Sequence, residues 1–326
     1  MPNQRKAIPY VTSYYEKNWG FCVAYEDLKK LFKSKKYFVN IDTSLTNGYL
    51  TYAECVIKGK VKKEIFISCN ICHPSMANNE LSGMIVATNF IKWLKKRKKN
   101  FYTYRIIFIP ETIGSIVYLS RNLKHLKKNI LAGLVLTCIG DNKNYSYIES
   151  RQQNSLTDRV INNYLKYEIK KFKKYSYLER GSDERQYCSP GIDLPVCCIM
   201  RSKFNTYKEY HTSLDNLNFI SQEGLESSLE YVKNICLIIE NNFVYSATHK
   251  CEPNLGSRGL YPLLSSRKNS PLSNPTQSNF INYLNFLSYA DGKNDLISIA
   301  DKLGLSVLKL VNVAKVLIEQ KLIKAL

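Results

Sequence analysis

From about residue 61 the chain alternates short, nearly continuous apolar runs with longer amphipathic ones. The apolar runs cover residues 64–68, 104–109, 133–139 and 194–200. Their brevity and lack of alternation predict strands buried on both faces. Residues 80–98, 113–127, 156–171 and 222–241 instead repeat apolar positions at helical spacing. Strand–helix alternation of this kind predicts an α/β fold with a mainly parallel sheet and helices on both faces. The first 60 residues differ. Helical spacing is confined to Tyr25 through Phe32, whereas Tyr37-Phe38-Val39-Asn40-Ile41-Asp42 and Tyr49-Leu50-Thr51-Tyr52 alternate as strands do. With Asn47-Gly48 as a hairpin signal between them, residues 1–60 read as a small β-rich insert-like subdomain. A Pro-, Ser- and Gly-rich stretch makes 249–278 a linker between an α/β domain over 61–248 and a tail over 279–326. The tail carries three helical segments, 280–289, 296–303 and 307–319, broken at Asp291-Gly292 and Gly304, as a winged helix would be.

Composition narrows this picture. At 326 residues and 44% hydrophobic, the chain can bury one sizeable core and a smaller module. No apolar run approaches the roughly 18 residues of a membrane span. Met1-Pro2-Asn3-Gln4-Arg5-Lys6 lacks a signal-peptide core, so the cytoplasm is the expected location and no membrane partner is expected. The ten cysteines follow no disulfide-scaffold spacing, and Cys138, Cys197, Cys198 and Cys236 sit in apolar runs as reduced thiols do. Cys69-x-x-Cys72 has redox spacing without a thioredoxin-like context. The net charge of +20 comes largely from lysine runs such as 95–99, 170–174 and Lys29-Lys30 with Lys35-Lys36. These read as solvated faces, since no aromatic residues interleave them as in a nucleic-acid groove. The last helical segment has only Lys309 and Lys315 as bases, which favours packing or homo-oligomer contacts over nucleic-acid reading.

The chemistry gathers where strands end. Ser68 to Gly83 packs an imidazole, a carboxylate, amides and a Ser-Gly pair into one strand-to-helix turn, and ligands of open α/β sheets bind at such ends. His73 follows the first apolar run, Glu111 the second, Asp183 precedes the fourth, and His211 follows it. A parallel sheet brings these positions to one rim. Two imidazoles with carboxylates are the ligand set of a catalytic zinc, and a free glutamate beside it serves as general base. Asp141 is a further rim position, better read as a turn residue, and His125 and His249 read as solvent-facing. No Gly-x-Ser-x-Gly elbow, GxGxxG or Walker A pattern is present, which excludes the corresponding serine-hydrolase and nucleotide chemistries.

Several blocks, in order, resemble one family. They are Ala7-Ile8-Pro9-Tyr10-Val11-Thr12-Ser13-Tyr14-Tyr15, Asn18-Trp19-Gly20-Phe21, Cys72-His73-Pro74-Ser75, Pro110-Glu111-Thr112-Ile113-Gly114-Ser115, Asp183-Glu184-Arg185-Gln186-Tyr187, Glu209-Tyr210-His211-Thr212-Ser213 and Glu252-Pro253 through Tyr261. The chain resembles bacterial aminopeptidase-like proteins of the DUF4910/DUF2172 type, distant relatives of the M28 zinc aminopeptidases and often associated with surface-polysaccharide gene clusters. The resemblance implies a zinc-aminopeptidase α/β domain with a β-rich insert and a C-terminal winged helix. It implies a zinc-dependent hydrolase of a peptide or an acylated amino sugar, with His73, Glu80, Asp183 and His211 around the metal and Glu111 as ligand or base. Asn70 and Asn79 stand where related aminopeptidases carry a ligand His and a bridging Asp, which favours one metal over two. The same departures open one alternative, a degenerate binding or scaffold protein, and the net charge of +20 opens another, a DNA-binding regulator acting through the winged helix. The resemblance also implies that full-length members carry a further N-terminal segment.

Overall fold

The continuous apolar runs form the centre of a seven-stranded sheet of order β1-β3-β2-β4-β7-β5-β6. Its strands are β1 (Ala53–Ile57), β2 (Val61–Asn70), β3 (Tyr102–Ile109), β4 (Ile130–Leu136), β5 (Ser146–Ile148), β6 (Lys173–Tyr175) and β7 (Val196–Met200). The four long central strands β3, β2, β4 and β7 pair in parallel, while β1 and β5 join antiparallel. The computed structural model describes residues 1–13, 16–33, 36–261 and 275–326. Tyr14-Tyr15 of the N-terminal motif, Lys35 of the lysine pair and 262–274 of the expected linker lie outside the described residues.

The chain divides into two compact units. The first comprises Met1–Ser155 and Lys173–Val232, the second Leu156–Phe172 and Lys233–Leu326. In the first, α1 (Tyr25–Leu31) precedes the sheet, and α2 (Ser82–Lys96) and α3 (Ile113–Asn129) follow β2 and β3. Phe66 of β2 packs against Tyr187 edge-on at 5.0 Å and stacks on Tyr118 of α3 at 6.5 Å, so aromatic rings fill the layer between sheet and helices. Gly83 lets α2 begin hard against the sheet: a Cβ there would lie 2.6 Å from the Leu136 carbonyl oxygen. That close approach holds the β2–α2 turn over the strand ends.

The second unit is built from α4 (Leu156–Tyr164), part of α6 (Gln222–Asn241), β8 (Val244–Ala247), α7 (Pro275–Tyr289), β9 (Asp291–Asp295), α8 (Leu296–Leu303), α9 (Val307–Glu319) and β10 (Ile323–Ala325). The four-residue α5 (Glu184–Tyr187) lies in the first unit. Strands β10, β8 and β9 form an antiparallel sheet beside three helices, a winged-helix arrangement. Asp295 caps α8 through the Ser298 N–H at 2.9 Å and takes both ends of the Arg159 guanidinium at 2.7 and 2.8 Å. Asn163 caps α9 through the Val307 N–H at 2.9 Å.

Two boundaries are corrected. Residues 1–52 carry no strand among those described, and Asn47-Gly48 closes no hairpin. The alternation there has no neighbouring strand to pair with, and Phe38, Leu45 and Tyr49 are exposed. The winged-helix unit also begins before the expected linker and includes 156–172, because β8 pairs with β9 and β10 and α4 carries Arg159 and Asn163. Pairings across more than 100 residues leave no local signal in hydrophobic spacing.

Candidate metal and acid–base site

At the carboxyl end of β2 the chain turns through Ile71 to Met76 and enters a single wide turn of helix, Ala77–Leu81, before α2. The Asp215 carboxylate accepts the N–H groups of Asn78 at 2.6 Å and Asn79 at 3.1 Å, so a distant acid caps this turn. Within it His73 and Glu80 are both buried, and His73 Nδ1 meets Glu80 Oε1 directly. Cys72 Sγ lies 3.4 Å from His73 Nδ1 and 3.9 Å from Glu80 Oε1. Among the described residues, Cys72, His73 and Glu80 are the group whose ligand atoms all lie within 4.8 Å of one another.

Glu111 arrives from the end of β3. Its Oε1 accepts from Asn70 Nδ2 at 3.1 Å and Ser182 Oγ at 2.8 Å, which fixes the carboxylate, and its Oε2 sits 3.8 Å from His73 Nε2. The next residue, Thr112, has a φ of 64°, a left-handed conformation that is costly for a β-branched residue. Asp183 holds it there: its Oδ1 accepts the Thr112 N–H at 2.7 Å and the Ser115 hydroxyl at 2.8 Å. Strain of this kind persists where the surroundings over-determine it, and it clusters at functional sites.

His211, itself at a φ of 52°, lies with its ring 5.1 Å from that of His73 and stacked on Tyr210 at 3.9 Å. Tyr10 borders both imidazoles, at 5.5 Å from His73 and 5.4 Å from His211. Its N–H donates to the His211 carbonyl at 2.9 Å. The structure therefore gathers His73, Glu80, Glu111 and His211, while Asp183 is held separately behind Thr112.

The protonation states are uneven. Burial works against a charge on His73, yet its contacts with Cys72 and Glu80 outweigh this and raise it to about 10. Burial also pushes Glu80 up, against the pull of His73. Burial and the neighbouring His73 charge lower His211 to about 4, leaving it neutral at pH 7. Burial raises Asp183 to about 7, reinforced by Glu111 and opposed by the bonds from Thr112 and Ser115.

Four acceptor atoms bear on whether these residues suit a metal. Among the described residues, Glu80 Oε2, Asp183 Oδ2, His211 Nε2 and Asn70 Oδ1 are buried without a hydrogen-bond partner. Buried acceptors are ordinarily satisfied, and each exception calls for an explanation. Imidazole nitrogen and carboxylate oxygen are donors that zinc takes, so Glu80 and His211 beside His73 fit such an ion by donor type, whereas Asp183 lies apart and Asn70 offers an amide. Asn79 does not join it, since its Oδ1 accepts from the Cys138 thiol at 3.5 Å. Asp141 is spent on structure: its oxygens take Ser202 N and Oγ, Lys143 N and Asn78 Nδ2 at 2.9–3.2 Å.

A cavity of about 730 Å³ opens on this cluster, lined among others by Tyr10, Tyr49, Cys72, His73, Glu111 and Arg185. Hydrophobic periodicity does not mark Cys72, Tyr10, Ser182, Asp215 or Arg185 for the site. Cys72 beside His73, and Asp215 four residues after His211, are the spacings that would have pointed to two of them.

Residues 6–242 match the family described as a domain of unknown function (DUF4910), and residues 243–325 match a winged helix-turn-helix family. A Clostridium acetobutylicum protein named for polysaccharide biosynthesis and an aminopeptidase-like domain is 39% identical over 327 residues, covering 99% of this chain and 73% of its own length. A crystal structure from Clostridium acetobutylicum, described as a peptidase, superposes with a TM-score of 0.88 at 36% identity over 100% of this chain and 72% of that one. The aminopeptidase from Aneurinibacillus sp. strain AM-1 shares the fold of 58% of this chain and 47% of its own, with a TM-score of 0.51 at 16% identity. The chain thus belongs to the DUF4910 family, an aminopeptidase-like α/β domain followed by a winged helix.

Proposed function

We propose that this protein is a metal-dependent hydrolase of an amide bond, with zinc as the ion. The observation that carries the reading is the meeting of His73, Glu80 and His211 beside Glu111, with ligand-type atoms buried and unpartnered. His73, Glu80 and His211 would hold the ion, whereas Asp183 would position the Thr112 turn that follows Glu111. A bound zinc would supply Lewis acidity, polarising a carbonyl and acidifying water. Glu111 then serves as the general base, taking a proton from the attacking water at Oε2 while Asn70 and Ser182 hold Oε1. Tyr10 lines the cavity beside both imidazoles. The substrate in this reading is a peptide or an acylated amino sugar, met in the cytoplasm. The winged helix acts in packing or self-association, with Lys309 and Lys315 the only bases of α9.

Elemental analysis of the purified chain tests it, together with hydrolysis of a panel of dipeptides and N-acyl amino sugars. The reading expects one metal per chain and turnover that Glu111→Gln abolishes without loss of metal. Absence of metal after zinc titration of folded protein would end it. A second reading, a binding protein on the same scaffold, draws on Asn79, whose amide oxygen is engaged by Cys138. Stoichiometric metal with no turnover across the panel would favour that one.

A further inference from the structure

Arg185 lines the cavity that holds His73 and Glu111, and among the described residues its guanidinium meets the Thr112 hydroxyl and no carboxylate. Its sequence neighbours suggest surface pairing with Asp183 or Glu184, and the structure turns both away. Asp183 Oδ1 is taken by the Thr112 N–H and the Ser115 hydroxyl. Glu184 Oε1 is taken by the N–H groups of Gly181 at 2.8 Å and Ser182 at 3.1 Å. The guanidinium donates from Nη2 to Thr112 Oγ1, and its Nε is buried without a partner among the described residues.

A partly buried cation without a counter-ion is costly, and a guanidinium presents five N–H donors in a planar fork shaped for a carboxylate. We infer that Arg185 is the anion anchor of this cavity, selecting amide substrates that carry a carboxylate, such as N-acyl amino acids or dipeptides with a free carboxyl end. This rests on the hydrolase reading for the word substrate, but not for the binding.

The anchor and the base share one turn. Thr112, which accepts from Arg185, follows Glu111 directly and is locked by Asp183. A carboxylate seated on Arg185 would therefore be held in fixed register with the Glu111 carboxylate. Tyr10, Tyr49 and Ile113 supply apolar wall beside it. A charge-assisted bidentate pair in such a pocket discriminates strongly against a neutral isostere, because the neutral ligand leaves the cation unpaired.

The test is calorimetric or saturation-transfer titration of the zinc-supplemented full chain with N-acetylglycine and with N-acetylglycinamide. Wild type is expected to bind the carboxylate probe at least about tenfold more tightly. Arg185→Gln should erase that ratio, with affinity for the amide probe unchanged, and Arg185→Lys should restore part of it. Circular dichroism of both variants establishes that they fold. Equal affinity for the two probes in wild type, no binding of N-acetylglycine, or an unchanged ratio in Arg185→Gln would each overturn the anchor. Turnover without carboxylate preference would overturn the anchor alone, and carboxylate preference without metal or turnover would overturn the hydrolase reading alone.

Discussion

The half-buried Arg159–Asp295 cluster of the winged helix and the more deeply buried His73–Glu80 pair beside Glu111 in the α/β domain hold charge on opposite terms. Asp295 is fully matched: both oxygens meet Arg159, and Ser298 N and Asn242 Nδ2 complete them at 2.9 and 3.0 Å. Burial works against its ionisation, yet these donors hold its carboxyl well below the usual range. In the α/β domain the acceptors are only half used. Among the described residues, Glu80, Asp183 and His211 each keep a buried atom without a partner, and Thr112 beside Asp183 is strained. The satisfied cluster stabilises its unit, whereas the unsatisfied one forgoes stability in a way that a ligand would repair.

Substitutions should separate the two. The largest effect expected is from Glu111→Gln, which should lower amide hydrolysis by about 10²–10⁴-fold. Its melting temperature and metal content should match wild type, as read by steady-state kinetics, calorimetry and elemental analysis. His211→Ala should weaken zinc binding by at least about tenfold and abolish the rise in melting temperature that zinc gives wild type. Asp295→Ala, by contrast, should leave zinc binding intact. It should cost about 2 kcal/mol in chemical unfolding, a figure discounted because Arg159 is partly exposed and screened.

The smallest effect is on acid stability. Asp295 has a folded-state pKa below its unfolded value of about 3.9. Its contribution is therefore fully present above that pH and lost as pH falls through the folded value. Asp295→Asn should flatten this part of the acid unfolding curve. A curve identical to wild type below pH 4 would break the contrast.

The same contrast explains what was legible in sequence. The buried parallel strands announce themselves because each is apolar over its whole length, and α8 and α9 are bracketed by Asp295, Gly304 and Ser306. His73, Glu111 and His211 were visible as chemistry-bearing residues at strand ends. Cys72 was marked only by its place beside His73, and Arg185 not at all, since nothing local says that an arginine will lose its neighbouring acids. The alternation of 37–52 misled, because a period of two records two-sidedness and not the presence of a partner strand. The attachment of α4 to the winged helix rests on Asn163 and Arg159, single polar residues whose partners lie more than 130 positions away.

Anomalous scattering at the zinc edge from crystals grown with zinc tests the central claim most directly. The account predicts one peak per chain, in contact with Glu80, His211 and His73, and its disappearance in His211→Ala crystals. A folded wild-type structure with no peak among these residues, at saturating zinc and neutral pH, would contradict it.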